Sequence, residues 1–368
     1  MQKKLLYEVS VIRPIVIFLL VVTHALYIYR GWWPQPEGVG YNNVYWWLGN
    51  IISGFRMDTI MFVGGYVFGY QCAELGRRQR FGAFAWKKVK RLLLPCYLFS
   101  VAYYLLFLAD YAHFDLGAML LAVTDGVKHL WFLPMLFWCF LFGWVTDRLL
   151  RWVERYHPAW LNFSGWAMLL PLVLFSLLRF KGLGFGLARV NYYLFYFYLG
   201  YWLRRLVAQR AAAGHPWHPG WKLCVLLWVL YLFFLVFRLQ AAYPHLPGMP
   251  WTRPLWMKGW PQIVVNLLVW CHTTCGILAL YATVVGAGSD ERLSSLVPRL
   301  SRQCYGVYVF HQFFIEWLYY HTSLSAWCCA SVAGAWLLPW VVLAVTLLLS
   351  IACTQLMLKT RMGRFLIG

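Results

Sequence analysis

The first long apolar run of the chain holds an arginine, ten further residues and then a histidine, Arg13-Pro-Ile-Val-Ile-Phe-Leu-Leu-Val-Val-Thr-His24. Ionisable groups inside a membrane helix are costly, so each is a candidate for function. Eleven residues at about 100° each return to within about 20° of the start, which sets both side chains on one helix face. Their separation along the axis is about 16 Å. Arg13, near an interface, is suited to grip phosphates. His24 lies deeper, where a near-neutral imidazole serves as a general base. The gap matches an extended pantetheine arm, so a coenzyme A thioester would reach from one to the other. The alternative also stands: Arg13 snorkels to the interface and His24 is a hydrogen-bonded packing residue.

The elements that carry these residues follow from composition. Hydrophobic residues make up 62% and charged residues 12% of the 368 positions, and mean hydropathy is +0.60. Soluble domains hold about 25% charged residues, so the membrane is the solvent for most of this chain. Apolar runs predict an all-α integral membrane protein of about ten transmembrane helices. They lie near 9–29, 44–73, 92–109, 129–147, 162–178, 191–207, 221–239, 259–285, 304–321 and 330–357. The first follows Lys3 and Lys4, contains Arg13 and has no small-residue cleavage site, so it is expected to remain as helix 1. One domain over 1–368 accounts for the chain.

The net charge of +20 sits in short blocks between apolar runs, the pattern that sets topology and touches anionic lipid heads rather than nucleic acid. With the N-terminus inside, roughly 23 of the 32 cations fall on the cytoplasmic side. Both termini are therefore expected in the cytoplasm, in what would be a bacterial inner membrane. The outer connections are aromatic and turn-rich, as in Gly31-Trp-Trp-Pro34 and in 243–251. Ten cysteines form no CxxC pair and no His/Cys cluster with zinc spacing, which argues against a metal or a disulfide framework.

Several segments in order resemble the acyltransferase-3 family of membrane O-acyltransferases. The Arg13-to-His24 spacing is similar to that family's first-helix signature. Phe55-Arg-Met-Asp-Thr-Ile-Met-Phe-Val-Gly-Gly-Tyr66 resembles its second-helix motif, and Phe-Arg-Met is similar to the periplasmic glucan succinyltransferase branch. Lys87-Lys-Val-Lys-Arg-Leu-Leu-Leu-Pro95 resembles the basic run ending in Pro before helix 3. His129-Leu-Trp-Phe-Leu133 and Tyr305-Gly-Val-Tyr-Val-Phe-His311 match two later elements. Two departures stand out. Gly64 replaces the usual Ser, and Lys88 and Lys90 replace an Arg-x-Arg pair, keeping charge but losing the bidentate fork.

The resemblance implies roles for further residues. Lys88, Lys90 and Arg91 become candidates for the phosphates of coenzyme A, although a basic block also serves topology. Tyr305 and His311 contact the donor or simply pack. His129 and Trp131 line the acceptor path or belong to an interfacial belt. Arg56 either clamps helices together or stabilises an oxyanion at the acyl carbonyl or an anionic part of the donor. Asp58 would instead orient His24, a contact that spacing alone does not establish. His272, with no motif around it, reads as a satisfied packing residue.

The resulting expectation is an enzyme that moves an acyl group, acetyl first, from cytoplasmic acetyl-CoA or another short acyl-CoA. The acceptor would be a hydroxyl of a saccharide or glycan on the far side, with His24 as general base. Its other partners would be membrane lipids, with no nucleic acid. Succinyl transfer and a polytopic transporter are the alternatives.

Overall fold

The computed structural model describes residues 6–77, 79–156, 175, 183–243, 262–288 and 296–368. Among them all regular elements are helical and none is a strand. Seven stretches are long and apolar enough to cross a membrane: Tyr7–Ala25, Asn43–Ala73, Phe81–Leu108, Lys128–Val153, Trp221–Ala241, Ile263–Ala287 and Val332–Lys359. They correspond to seven of the ten spans expected from sequence. Residues 191–207 and 304–321 are helical as expected, but their helices carry Arg204, Arg205 and Arg210, or Arg299, Arg302 and Glu316, and so fall short of the apolar requirement. The span expected at 162–178 lies outside the described residues except for Phe175.

The elements in chain order are α1 (Tyr7–Ala25), α2 (Asn43–Ser53), α3 (Arg56–Ala73), α4 (Phe81–Lys88), α5 (Leu94–Tyr103), α6 (Leu116–Asp125) and α7 (Phe132–Tyr156). There follow α8 (Val190–Ala212), α9 (Trp221–Ala242), α10 (Gln262–Ala287), α11 (Leu296–Tyr320), α12 (Leu324–Cys329), α13 (Val332–Lys359) and α14 (Arg361–Ile367). They form two compact units. The first holds residues 1–57 and 218–364 with Gly368, and the second holds 58–217 with 365–367. The division runs through the first turn of α3.

In the first unit α1 packs on α11, and α11 packs on α13. The single apolar run 44–73 resolves into two helices broken at Gly54 and Phe55. Asn42 caps α2 by accepting from the Tyr45 amide at 3.1 Å. At the break, Thr273 of α10 donates to the Gly54 carbonyl at 2.9 Å, and the Tyr231 hydroxyl of α9 donates to the Ile51 carbonyl. Carbonyls freed by a broken helix must find partners inside the protein, and neighbouring hydroxyls supply them here. His272 stacks on Tyr231 with ring centroids 4.2 Å apart, and its Nδ1 donates to the Tyr231 carbonyl at 3.1 Å. The packing role expected for it accords with these contacts.

In the second unit α3 crosses α8 with backbone on backbone. A Cβ on Gly65 would lie 1.8 Å from the Phe197 carbonyl oxygen, and one on Gly200 would lie 2.0 Å from that of Phe62. Only glycine at both positions permits the approach. Arg204 grips Glu74 with two parallel bonds, Nε to Oε1 at 2.6 Å and Nη2 to Oε2 at 2.7 Å, the fork geometry that Arg provides. The basic run before Pro95 is a π-helical segment, Val89–Leu93. An i→i+5 bond from the Leu94 amide to the Val89 carbonyl carries the chain into α5.

Candidate active site

His24 is the penultimate residue of α1 and is buried. Its Nδ1 lies 2.7 Å from Nε2 of His311, 287 positions further along the chain. The two rings stack at 4.9 Å with planes 13° apart. His311 lies within α11 and is wholly buried. Its Nδ1 is 2.7 Å from the Tyr308 carbonyl and 3.2 Å from that of Val307.

These contacts assign the protons. A carbonyl only accepts, so His311 Nδ1 carries hydrogen and its Nε2, in the neutral ring, accepts. His24 Nδ1 must then donate to that Nε2. In that tautomer the other nitrogen of His24, Nε2, carries a lone pair and no proton. An imidazole whose Nδ1–H is held by a second group has the arrangement of the histidine in nucleophile-activating triads.

Arg13 and His24 do share a face, and α11 is what they both meet. Arg13 keeps an accessible side chain close enough to Cys304 to act on it electrostatically. His24 meets His311, and the Ala25 carbonyl accepts from the Tyr319 hydroxyl at 2.6 Å. Contacts that ascend together along both chains mean that α1 and α11 run parallel.

Aromatic rings surround the base. Tyr27 and Trp33 lie 4.8 and 5.7 Å from the His24 ring. The Tyr27 hydroxyl accepts from Arg56 Nη2, and Arg56 is 4% exposed. Nε and Nη1 of Arg56 are buried without a hydrogen-bond partner among the described residues. Arg56 is also close enough to His311 for its charge to act there. Buried guanidinium donors left open in this way are poised for a negative charge.

The other expected residues sort by unit. Tyr305 stacks on Tyr308 at 6.5 Å, and Tyr308 lies 6.2 Å from His311, so the rings of this motif run along α11 to the pair. Asp58 is buried in the first turn of α3 and belongs to the second unit. His24 Nδ1 itself meets His311. In the second unit Lys88 lies with Nζ 3.1 Å from the Phe140 ring centroid. Lys90 lies 5.6 Å from the Trp86 ring, and Arg91 is exposed. His129 is buried in a short 3-10 turn, Lys128–Trp131, and Trp131 lies beneath the Arg189 guanidinium at 4.1 Å.

Sequence reasoning passed over Tyr27, Trp33 and Gln312. The first two follow His24 at three and nine positions, and aromatic residues at that depth are expected anyway. Gln312 follows His311 and is wholly buried, with neither amide atom hydrogen-bonded among the described residues. A polar residue inside an apolar helix was its only signal.

No curated protein and no solved structure matches the chain. The acyltransferase-3 family model, an acyltransferase domain, matches residues 6–357. With that match across nearly the whole of its apolar helices, the chain belongs to the acyltransferase-3 family of membrane proteins.

Proposed function

We propose that the protein transfers a short acyl group from a coenzyme A thioester on the cytoplasmic side to a saccharide hydroxyl on the opposite side, with acetyl as the first donor to test. The observation that carries this reading is the His24–His311 pair, in which His24 Nε2 would serve as the base. The acceptor hydroxyl gives its proton to that nitrogen as its oxygen attacks the thioester carbonyl. The new C–O bond makes a tetrahedral oxyanion, and the open donors of Arg56 are suited to stabilise it. When the C–S bond breaks, the departing thiolate takes the proton back from the His24 imidazolium. His311 acts as the positioning residue that fixes tautomer and ring plane.

Arg13, the accessible cation on the same face as His24, is the first candidate for the donor phosphates, with Tyr305 nearby on α11. Lys88, Lys90 and Arg91 are the candidates of the second unit, and His129 and Trp131 are its candidates for the acceptor. Direct transfer is the simpler path, with a histidine-borne acyl intermediate as the alternative.

The test is turnover of labelled acetyl-CoA by purified protein in lipid nanodiscs, beside His24→Ala. Thioester consumption that the mutation abolishes is the expected result. Equal consumption by both proteins would remove His24 from the chemistry. Binding and turnover of no short acyl-CoA at all would sink the reading and favour transport.

A further inference from the structure

Arg30 closes the 3-10 turn Tyr27–Arg30 that follows α1. Its Nη2 donates to Asn50 Oδ1 at 2.8 Å, and Asn50 is itself tethered by Nδ2 to the Trp46 carbonyl at 2.9 Å. A Cβ at Gly49 would lie 2.6 Å from Arg30 Cδ, so α2 has a slot cut for this side chain. The Arg30 guanidinium carbon lies 5.6 Å from the Tyr27 ring centroid, and so does that of Arg56. Two guanidinium groups thus share one phenol ring, and that ring packs on His24 at 4.8 Å.

Like charges brought together need a reason. Arg30 Nε, Arg56 Nε and Arg56 Nη1 are buried with no hydrogen-bond partner among the described residues. A third cation, Arg238 of α9, is close enough to act on Arg30 electrostatically. The protein holds these groups by neutral partners, a phenol and an amide. Arg56 is buried and Arg30 half-buried, and each leaves fork donors open. Burial, with Arg56 adding to it, lowers Arg30 to about 10, so it stays cationic at neutral pH. Open Arg donors fixed on rigid partners are the geometry that receives a planar carboxylate in two bonds.

We infer that Arg30 and Arg56, set around Tyr27, form a subsite for a carboxylate carried by the substrate, either on the acyl group or on the acceptor sugar. This inference rests on the acyl-transfer reading and names its substrate class. The carboxylate would sit beside the reacting centre, bound to groups that also fix Tyr27 against the base. Arg30 is a specificity residue in this account. It selects among substrates and takes no part in the proton transfer.

The two sources separate in kinetics on the protein in nanodiscs. One arm compares succinyl-CoA with neutral butyryl-CoA. The other compares acetyl transfer to a glucuronate-containing oligosaccharide and to its neutral glucose counterpart. At least about a tenfold preference in kcat/KM for the carboxylate-bearing partner is expected in one arm, which then identifies the source. Arg30→Gln should reduce that ratio to near unity, and Arg30→Lys should restore part of it. Asn50→Asp is an isosteric check that disturbs the fold least, because it places an internal carboxylate on Arg30 Nη2 and should also erode the ratio. A direct probe uses no turnover: succinate should raise the melting temperature of the wild type and succinamide should not. His24-dependent turnover with no carboxylate preference in either arm and no succinate effect would overturn the subsite while leaving acyl transfer intact. A succinate effect without turnover of any thioester would keep the subsite and overturn the acyl-transfer reading.

Discussion

The Tyr319 hydroxyl donates to the Ala25 carbonyl at 2.6 Å, one residue past His24. The end of α1 and the end of α11 are fastened together beside the imidazole pair. Removing a buried hydroxyl from such a bond costs about 1 kcal/mol or somewhat more, because the carbonyl is left behind. Tyr319→Phe should therefore lower the melting temperature by a few degrees. It should lower kcat more than stability alone would imply, since the fastening sets the distance between the two rings. Thermal unfolding and steady-state thioester kinetics on one preparation check both.

If His311 positions His24, as proposed, its replacements should grade accordingly. His311→Ala is expected to reduce kcat by about a hundredfold or more with little change in KM. His311→Gln, which offers an acceptor oxygen near the position of Nε2, should recover part of that loss. A uniform collapse of both variants together with loss of thermal stability would point to packing instead.

The neighbouring glycines of α3 should behave oppositely. A Cβ at Gly64 would meet Leu136 Cδ1 at 3.5 Å, an ordinary contact, whereas at Gly65 it would meet a carbonyl oxygen at 1.8 Å. Gly64→Ser, which restores the residue usual in similar sequences, should leave the melting temperature within a degree or two. Gly65→Ala must push α3 from α8, at a cost of about 1–3 kcal/mol or more. Expression level and thermal unfolding of the pair decide it.

Carboxylate selection should be insensitive to pH in the neutral range. Arg30, lowered to about 10 chiefly by burial, is protonated there, and a substrate carboxylate is ionised. The selectivity ratio should stay flat from about pH 6 to 8. Profiles of kcat/KM for matched charged and neutral substrates give the readout.

Much of this architecture was legible in the residues. The run from Arg13 to His24 disclosed the shared face, because helical spacing is fixed by geometry and needs no tertiary information. The apolar runs gave the helices for the same reason. What the sequence hid were relations across the chain. His311 sat in a recognisable Tyr-x-x-Tyr-x-x-His segment, yet nothing local says that its ring meets the one in α1. Arg30 read as one more outer cation in the topology count, since its meaning lies in Gly49, Asn50 and Tyr27. The break at Gly54 was invisible inside an uninterrupted apolar run, because Thr273 and Tyr231, far along the chain, are what make it tolerable.

The two imidazoles come from helices near opposite ends of the chain, α1 and α11. A ribosome still extending the protein holds the first ring and lacks the second. The contact that fixes the ring of His24 against His311 therefore forms only after most of the polypeptide has been inserted. Unfinished chains carry His24 without the His311 ring. The pair is thus a late product of assembly, completed with docking of the eleventh helix.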